Sequence, residues 1–252
     1  MTKPVQSYIL CTSPRSGSTL LCGLLKATQC CGLPDSHFHE PSLEAWLGYY
    51  DLEGVPFASH SEAVRAALGA ARAYGRGKTD MFGLRLQQHS AVFFFQQLAQ
   101  LHPRLDGDVA RIDAVFGRTA YLYLTRENKL DQAISYLKAE QSGLWHRAPD
   151  GTEIERLAPH RDPVYDRAAL GQQIALFEAY EREWQGWFAR QGIRPLTLTY
   201  DALAADPWGV LAQILEYLGK DPAVAKTLTL PVAKLADSMN EEWAARYLAE
   251  QV

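Results

Sequence analysis

An apolar segment, a polar turn of small residues and a leucine-rich stretch follow one another near the start of this chain. Ser7–Thr12 predicts a buried strand, and four leucines at helical spacing predict a helix over about 17–28. The alternation continues, with further strands predicted at 81–86, 121–125 and 195–200 and helices between them. Strands that alternate with helices are typical of a parallel sheet. We therefore expect an α/β fold in a single domain over 1–252.

Composition excludes several classes of protein. With 47% hydrophobic and 21% charged residues, the chain is neither disordered nor fibrous. A net charge of -4 argues against a nucleic-acid-binding protein, and no apolar run is long enough to predict a membrane span. The four cysteines form no CxxC pair, so we expect free thiols and a cytoplasmic location.

The segment 142–166 breaks the pattern, because prolines and charges replace the apolar periodicity. Loops of this length are usually lids, binding loops or linkers. We predict a loop here that covers the acceptor site, with an ordinary surface loop as the alternative.

The polar turn after the first strand is a candidate anion site. It lies at the carboxyl end of a strand and at a helix N-terminus, where backbone N–H groups bind phosphate. Arg15 adds a guanidinium group, and Ser16, Ser18 and Thr19 add hydroxyl groups. The alternative is an ordinary helix cap by Ser13 or Ser16. The turn lacks the Gly-Lys pair of a nucleoside-triphosphatase loop, and no acidic residue ends the strand at 121–125 to hold magnesium.

Several motifs in this order resemble those of sulfotransferases that use 3′-phosphoadenosine-5′-phosphosulfate (PAPS), in particular the bacterial family typified by mycobacterial trehalose 2-sulfotransferase. They are Ser13-Pro14-Arg15-Ser16-Gly17-Ser18-Thr19-Leu20-Leu21, Gly32-x-Pro34 before Phe38, Tyr123-Leu124-Thr125-Arg126 with Ser135, Trp145, and Leu235-Ala236-Asp237 with Glu242-Trp243 and Arg246-Tyr247. The resemblance implies a P-loop-like parallel sheet flanked by helices, with sulfotransferase architecture.

The resemblance also implies how the donor PAPS is held, without a metal. The 5′-phosphosulfate would contact the turn residues Ser13, Pro14, Arg15, Ser16, Gly17, Ser18 and Thr19. Arg126 and Ser135 would bind the 3′-phosphate, with Lys234 as a second phosphate contact. Arg126 has the alternative of a salt bridge with Glu127 or Asp131, and Lys234 that of a solvated surface residue.

The general base is where the chain departs from the family. The family has a Glu two residues after the Pro of Gly-x-Pro, and Ser36 occupies that position here. Glu40 and His39 are equal candidates to replace it, with His37 behind them. The two histidines have no third ligand nearby, so we expect no metal.

The acceptor is expected to be a small molecule, glycan or glycolipid that offers a hydroxyl group. Ser36, Phe38, Trp145 and His146 are the candidate substrate contacts. Related enzymes also suggest a homodimer. Two alternatives stay open: a nucleotide-dependent kinase or NTPase with a P-loop, and a catalytically inactive protein that binds PAPS.

Overall fold

The computed structural model describes residues 4–148, 150–228 and 238–250. The strands are β1 (Ser7–Thr12), β2 (Phe82–Gln87), β3 (Thr119–Thr125), β4 (Leu144–Arg147), β5 (Glu153–Arg156) and β6 (Leu196–Thr199). The helices are α1 (Ser18–Ala27), α2 (Leu43–Gly48), α3 (His60–Arg76), α4 (Gln88–Leu101), α5 (Asp108–Phe116), α6 (Lys129–Ser142), α7 (Arg167–Gln191), α8 (Tyr200–Ala205), α9 (Pro207–Tyr217) and α10 (Ser238–Ala249), with a 3₁₀ helix at Pro222–Thr227.

Four strands form a parallel sheet in the order β2-β1-β3-β6. β1 lies in the middle, where Ile9 pairs with Leu84 on one side and Tyr121 on the other. Because all four strands run the same way, the segments that follow them emerge at one edge. The predicted α/β fold, a parallel sheet flanked by helices, is confirmed.

Each face of the sheet carries its own hydrophobic core. On β1, Tyr8 and Leu10 belong to the core shared with α1 and α9. Ile9 and Cys11 belong to the other core, shared with α3, α4, α5 and α7. A strand buried on both faces reads as a continuous apolar run, which is why β1 was recognisable in the sequence. Each fully buried aliphatic side chain contributes about 1.5–3 kcal/mol.

Helix α7 fixes the carboxyl end of β1. The indole N–H of buried Trp184 donates to the carbonyl oxygen of Thr12 at 2.9 Å, where the strand ends. A buried carbonyl without a partner costs free energy, so this bond stabilises the point at which the chain leaves the sheet.

The prediction of an irregular loop over 142–166 is wrong in part, because β4 and β5 form an antiparallel hairpin there. Arg156 stabilises the base of this hairpin. Its Nη1 donates to the carbonyl of Ser142 at 2.7 Å, and its Nε lies 2.5 Å from the Glu153 carboxylate. Charged strands of four residues carry too few apolar positions to show a period.

Three short helices were not predicted from the sequence. Helices α2 and α8 have six residues each and begin at the side-chain caps of Ser42 and Thr199. Helix α5 begins where Gln191, at the end of α7, accepts from the N–H of Asp108 at 2.9 Å. A cap supplied from 83 residues away leaves no local signal.

The predicted free thiols are confirmed, since none of the four cysteines forms a disulfide. Among the described residues, no helix has both the length and the apolar character needed to cross a membrane.

Candidate functional site

A cavity of about 670 Å³ opens where β1 and β2 end. Pro14, Arg15, Ser18 and Thr19 of the predicted anion turn line it. Ser36, His39 and Glu40 line it as well, and so do Trp145 and His146 of the β4–β5 hairpin. Open α/β sheets bind ligands at this edge. Most of the residues singled out in the sequence thus meet in one place.

The turn before α1 leaves its helix N-terminus uncapped by any side chain. Gly17, the N-cap residue, has φ of +87°, and an added Cβ would lie 2.7 Å from Cδ2 of Tyr200. The capping alternative does not describe this turn: the hydroxyl of Ser16 bonds that of Thr12 at 2.5 Å, and Ser13 accepts from Gln132. The first N–H groups of α1 therefore remain available to an anion.

Gln132, which the sequence analysis missed, holds the turn from α6. Its buried side-chain amide donates to Ser13 Oγ at 2.9 Å and to the carbonyl of Pro14 at 2.7 Å. The available signal was an amide side chain on the buried face of a predicted helix.

Arg15 links two motifs that lie 120 residues apart. Its Nε–H donates to Ser135 Oγ at 3.0 Å, and Nη1 donates to the carbonyl of Trp145 at 2.7 Å. Burial, reinforced by the charge of Arg126, lowers the pKa of Arg15 to about 10. The guanidinium is still charged at neutral pH, in a place where a bound anion would relieve its desolvation.

Arg126, the other predicted 3′-phosphate contact, is buried beside Tyr200. Its guanidinium carbon lies 4.4 Å from the centre of the Tyr200 ring. The alternative partner, Asp131, lies 3.8 Å away. Tyr200, which the sequence analysis missed, contacts Arg126 and closes over Gly17, so it connects the two halves of the predicted donor site. Arg126 and Ser135 do not line the cavity.

Lys234 and the motif at 235–237 lie outside the described residues.

Two of the predicted site residues lie in the core instead of the cavity. His37 is 4% exposed, bonds the hydroxyl of Tyr50 through Nδ1 at 2.9 Å and stacks on Phe82. Burial lowers its pKa to about 4. Phe38 packs against Trp46 and Phe94. Neither residue contacts the cavity.

His39 and Glu40 reach the cavity from the segment before α2. The ring of His39 lies edge-on to that of His89, with 4.8 Å between centroids. Its Nε2 is 4.0 Å from the Glu40 carboxylate, beyond hydrogen-bond distance.

Arg85 on β2 is a further cation in the cavity that the sequence analysis missed. Its Nε–H donates to Ser36 Oγ at 2.8 Å, and Nη1 donates to Thr19 Oγ1 at 3.0 Å. Asp35 lies 3.5 Å from Nη2. The position where the family carries a base is thus occupied by a serine held by an arginine. An arginine inside a buried strand was the available signal.

His146 has a close carboxylate partner across the hairpin. Its Nδ1 lies 2.5 Å from Glu155 Oε2, and both residues line the cavity. This hydrogen bond holds the pKa of Glu155 below its usual range. Among the described residues, no group of three or more His, Cys, Asp or Glu side chains could hold a metal ion.

The family match and two related enzymes cover nearly the whole chain. The Stf0 sulphotransferase family matches residues 7–250. Trehalose 2-sulfotransferase of Mycobacterium tuberculosis is 29% identical over 99% of this chain and 97% of its own length. The enzyme of the same name from Mycolicibacterium smegmatis is 26% identical over 96% and 94%. A solved sulfotransferase from Alicyclobacillus acidocaldarius covers 99% of this chain and 93% of its own, at 13% identity and a TM-score of 0.40.

Proposed function

We propose, from the premise that this chain belongs to the Stf0 sulphotransferase family, that it transfers a sulfuryl group from PAPS to a hydroxyl of a carbohydrate or glycolipid. The family makes the protein a transferase. The choice of donor rests on one observation, the uncapped N-terminus of α1 beside the half-buried guanidinium of Arg15.

The residues of the turn fit the 5′-phosphosulfate end of PAPS. Free N–H groups at the start of a helix bind anions, and Gly17 brings no Cβ into the cradle. Ser18 and Thr19 add hydroxyl donors at the cavity wall. Arg15 would stabilise the negative charge that develops as the bond between sulfur and the bridging oxygen breaks.

Arg126 and Ser135 are the proposed contacts of the 3′-phosphate. The two residues flank Arg15, since Ser135 accepts its Nε–H and the charge of Arg126 lowers its pKa. An anion near both arginines would offset their mutual repulsion. Lys234 stays a prediction for the second phosphate contact.

When bound, PAPS supplies an activated sulfuryl group, and the chain's own residues must position the acceptor and remove its proton. His37 does not fit the role of base, because it is buried in the core and bonded to Tyr50. Glu40 and His39 remain candidates, since both line the cavity.

The choice of a sugar acceptor is supported by the two relatives, which are named for trehalose. Trp145 and His146 offer an aromatic face and a polar edge at the cavity, which suit a sugar ring. Ser36 stays a proposed contact through its hydroxyl. The cytoplasmic location and the homodimer stay predictions from the sequence.

Thermal unfolding with different nucleotides tests the proposal first. We expect adenosine 3′,5′-bisphosphate to stabilise the protein without magnesium, by about 2.7 kcal/mol at 100 times its Kd. Stabilisation by Mg-ATP alone would instead support a kinase or NTPase.

Transfer of ³⁵S from PAPS to a panel of sugars and glycolipids tests the reaction. We expect Arg15→Ala to lower kcat by about 100-fold or more, because a positioned charge at the reacting group is lost. Arg190→Ala, at an exposed position of α7, is the control and should transfer at the wild-type rate. A wild-type protein that binds the bisphosphate but sulfates no acceptor would be an inactive PAPS-binding protein.

A further inference from the structure

The β4–β5 hairpin brings a histidine and a carboxylate together at the cavity. His146 on β4 is paired in register with Glu155 on β5, and Nδ1 lies 2.5 Å from Oε2. Both side chains line the same cavity as Arg15. A histidine oriented by a carboxylate is a common arrangement for a general base.

The carboxylate determines which nitrogen of the ring is free. The bond from His146 keeps Glu155 ionised at neutral pH, so its oxygens only accept hydrogen bonds. Nδ1 must therefore carry the proton of the neutral ring, which leaves the lone pair on Nε2. Within the described ranges, Nε2 of His146 makes no hydrogen bond to another residue.

The hairpin is bonded to Arg15, the residue that would stabilise the negative charge developing on the departing bisphosphate. Nη1 of Arg15 donates to the carbonyl of Trp145, the residue directly before His146, at 2.7 Å. The carbonyl group that Arg15 binds therefore belongs to the residue next to His146 in the chain. Glu155 also lies close enough for its charge to raise the pKa of Arg15, against the larger effect of burial.

The other candidate proton acceptors in the cavity are held less firmly. The side chains of His39 and Glu40 are 45% and 58% exposed, and their closest approach is 4.0 Å. The side chain of His146 is 23% exposed and has a partner at hydrogen-bond distance. Ser36 is held by Arg85. A base in a defined position, partly shielded from water, suits a reaction that needs in-line geometry.

We propose that His146 is the general base of the sulfuryl transfer and that Glu155 is its positioning residue, an inference that rests on the proposed function. Nε2 takes the proton of the acceptor hydroxyl as that oxygen forms a bond to sulfur. The bond from sulfur to the bridging oxygen of PAPS breaks, and its electron pair stays on the 5′-phosphate of the departing bisphosphate. The imidazolium then returns its proton to solvent.

The first test is His146→Gln, which removes the basic nitrogen and keeps a polar side chain. We expect kcat to fall by about 100-fold or more, while the KM for PAPS and the stabilisation by the bisphosphate stay at wild-type values. His160→Gln is the matched control. His160 also approaches a carboxylate, Asp162, at 3.3 Å on the same segment, but it does not line the cavity. His160→Gln should leave kcat unchanged.

The second test asks whether Glu155 acts through His146. Glu155→Gln should lower kcat by about 10-fold or more, and Glu155→Asp should restore part of the loss. The double variant with His146→Gln should be no slower than His146→Gln alone, because nothing remains for the carboxylate to orient. In ¹⁵N spectra of the wild-type imidazole at neutral pH, the neutral ring of His146 should carry its proton on Nδ1.

Three outcomes would overturn the proposal. With an active wild type, unchanged kcat in His146→Gln, whether or not His39→Gln or Glu40→Gln loses activity, overturns this inference and leaves the proposed function standing. Additive losses in the double variant overturn the role of Glu155. A wild type that sulfates no acceptor overturns the proposed function and this inference together.

Discussion

Arg15 and Gly17 share a left-handed backbone, with φ of +61° and +87°, although only glycine adopts it without strain. For Arg15 the strain is of the order of 1–2 kcal/mol. Residues with such strain cluster at functional sites, where the surrounding structure holds them. Here the two bonds from the Arg15 side chain, to Ser135 and Trp145, hold the residue in place.

Gly17→Ala should abolish bisphosphate binding and destabilise the fold. The new Cβ would combine left-handed strain with a 2.7 Å contact to Tyr200, so we expect a loss of about 1–3 kcal/mol. Gly192→Ala is the control, since its φ is +64° and nothing lies within 4 Å of its Cβ. Gly192→Ala should be destabilised only by its left-handed backbone strain and should still bind the bisphosphate, as measured by thermal unfolding with and without ligand. Equal binding by both variants would contradict the assignment of the cradle.

The buried imidazole of His37 should make stability depend on pH. Its pKa is lowered from 6.5 to about 4, so the unfolded chain binds a proton that the folded protein does not. The stability is therefore complete above about pH 6.5 and falls as the pH drops toward 4, by about 3 kcal/mol in all. His37→Phe should flatten this part of the curve in urea unfolding between pH 7 and 4.5. If the stability of His37→Phe depended on pH as that of the wild type does, other groups would be responsible for the loss of stability.

The residues that the sequence revealed and those it missed differ in how far away their partners lie. The anion turn was predicted because strand, turn and helix are contiguous, so its chemistry is local. Arg85 and Tyr200 were missed because their roles depend on contacts across the fold, such as that of Arg85 with Thr19, 66 residues away. Glu155 was missed because its pairing with His146 depends on the register of a hairpin that was not predicted. His37 and Phe38 were placed at the site because the sequence does not show which side of an irregular segment faces the core.

At the scale of elements, those that bury a regular apolar face were predictable, and the three short helices and the β4–β5 hairpin were not. β1 matches its predicted bounds, and α7 differs by a residue, because each buries a regular apolar face. The hairpin is different. It packs few apolar side chains and depends on turn geometry and ion pairs, neither of which shows a period in the sequence.

The base of the hairpin offers a test of its role. Gly143 has φ of +73°, and an added Cβ would lie 2.3 Å from the carbonyl oxygen of Ala158, so Gly143→Ala must displace the hairpin. We expect acceptor sulfation to fall by about 10-fold or more. Gly151→Ala, at φ of +90° with nothing within 4 Å, is the matched control. Similar steady-state kinetics in the two variants would show that the position of the hairpin does not matter for transfer.

At the scale of the whole molecule, the net charge of -4 does not reflect the character of the cavity. Arg15 and Arg85 line it together with Glu40 and Glu155, and Arg126 lies near Arg15, so the positive charges that a polyanion would meet are grouped around the anion turn. The assignment of 1–252 to one domain stays a prediction; the family match covers 7–250 of it.

Bisphosphate affinity should fall as salt is added, because ions screen the attraction between the ligand and these arginines. We expect a decrease of about 3- to 10-fold between 50 and 300 mM NaCl in calorimetric titrations. Arg126→Gln should bind more weakly at low salt and show a shallower dependence. An Arg126→Gln variant with the wild-type salt dependence would exclude Arg126 from the ligand's charge contacts.

The bond between Arg15 and the carbonyl of Trp145 has a kinetic consequence. The guanidinium that anchors the hairpin is the one that the donor's anionic end would attract, so donor binding and hairpin position are thermodynamically linked, each altering the other by the same factor. Donor binding should therefore shift the position of the acceptor surface, to which His146 and Trp145 belong. We therefore expect a compulsory order of addition, with PAPS entering first and the bisphosphate leaving last.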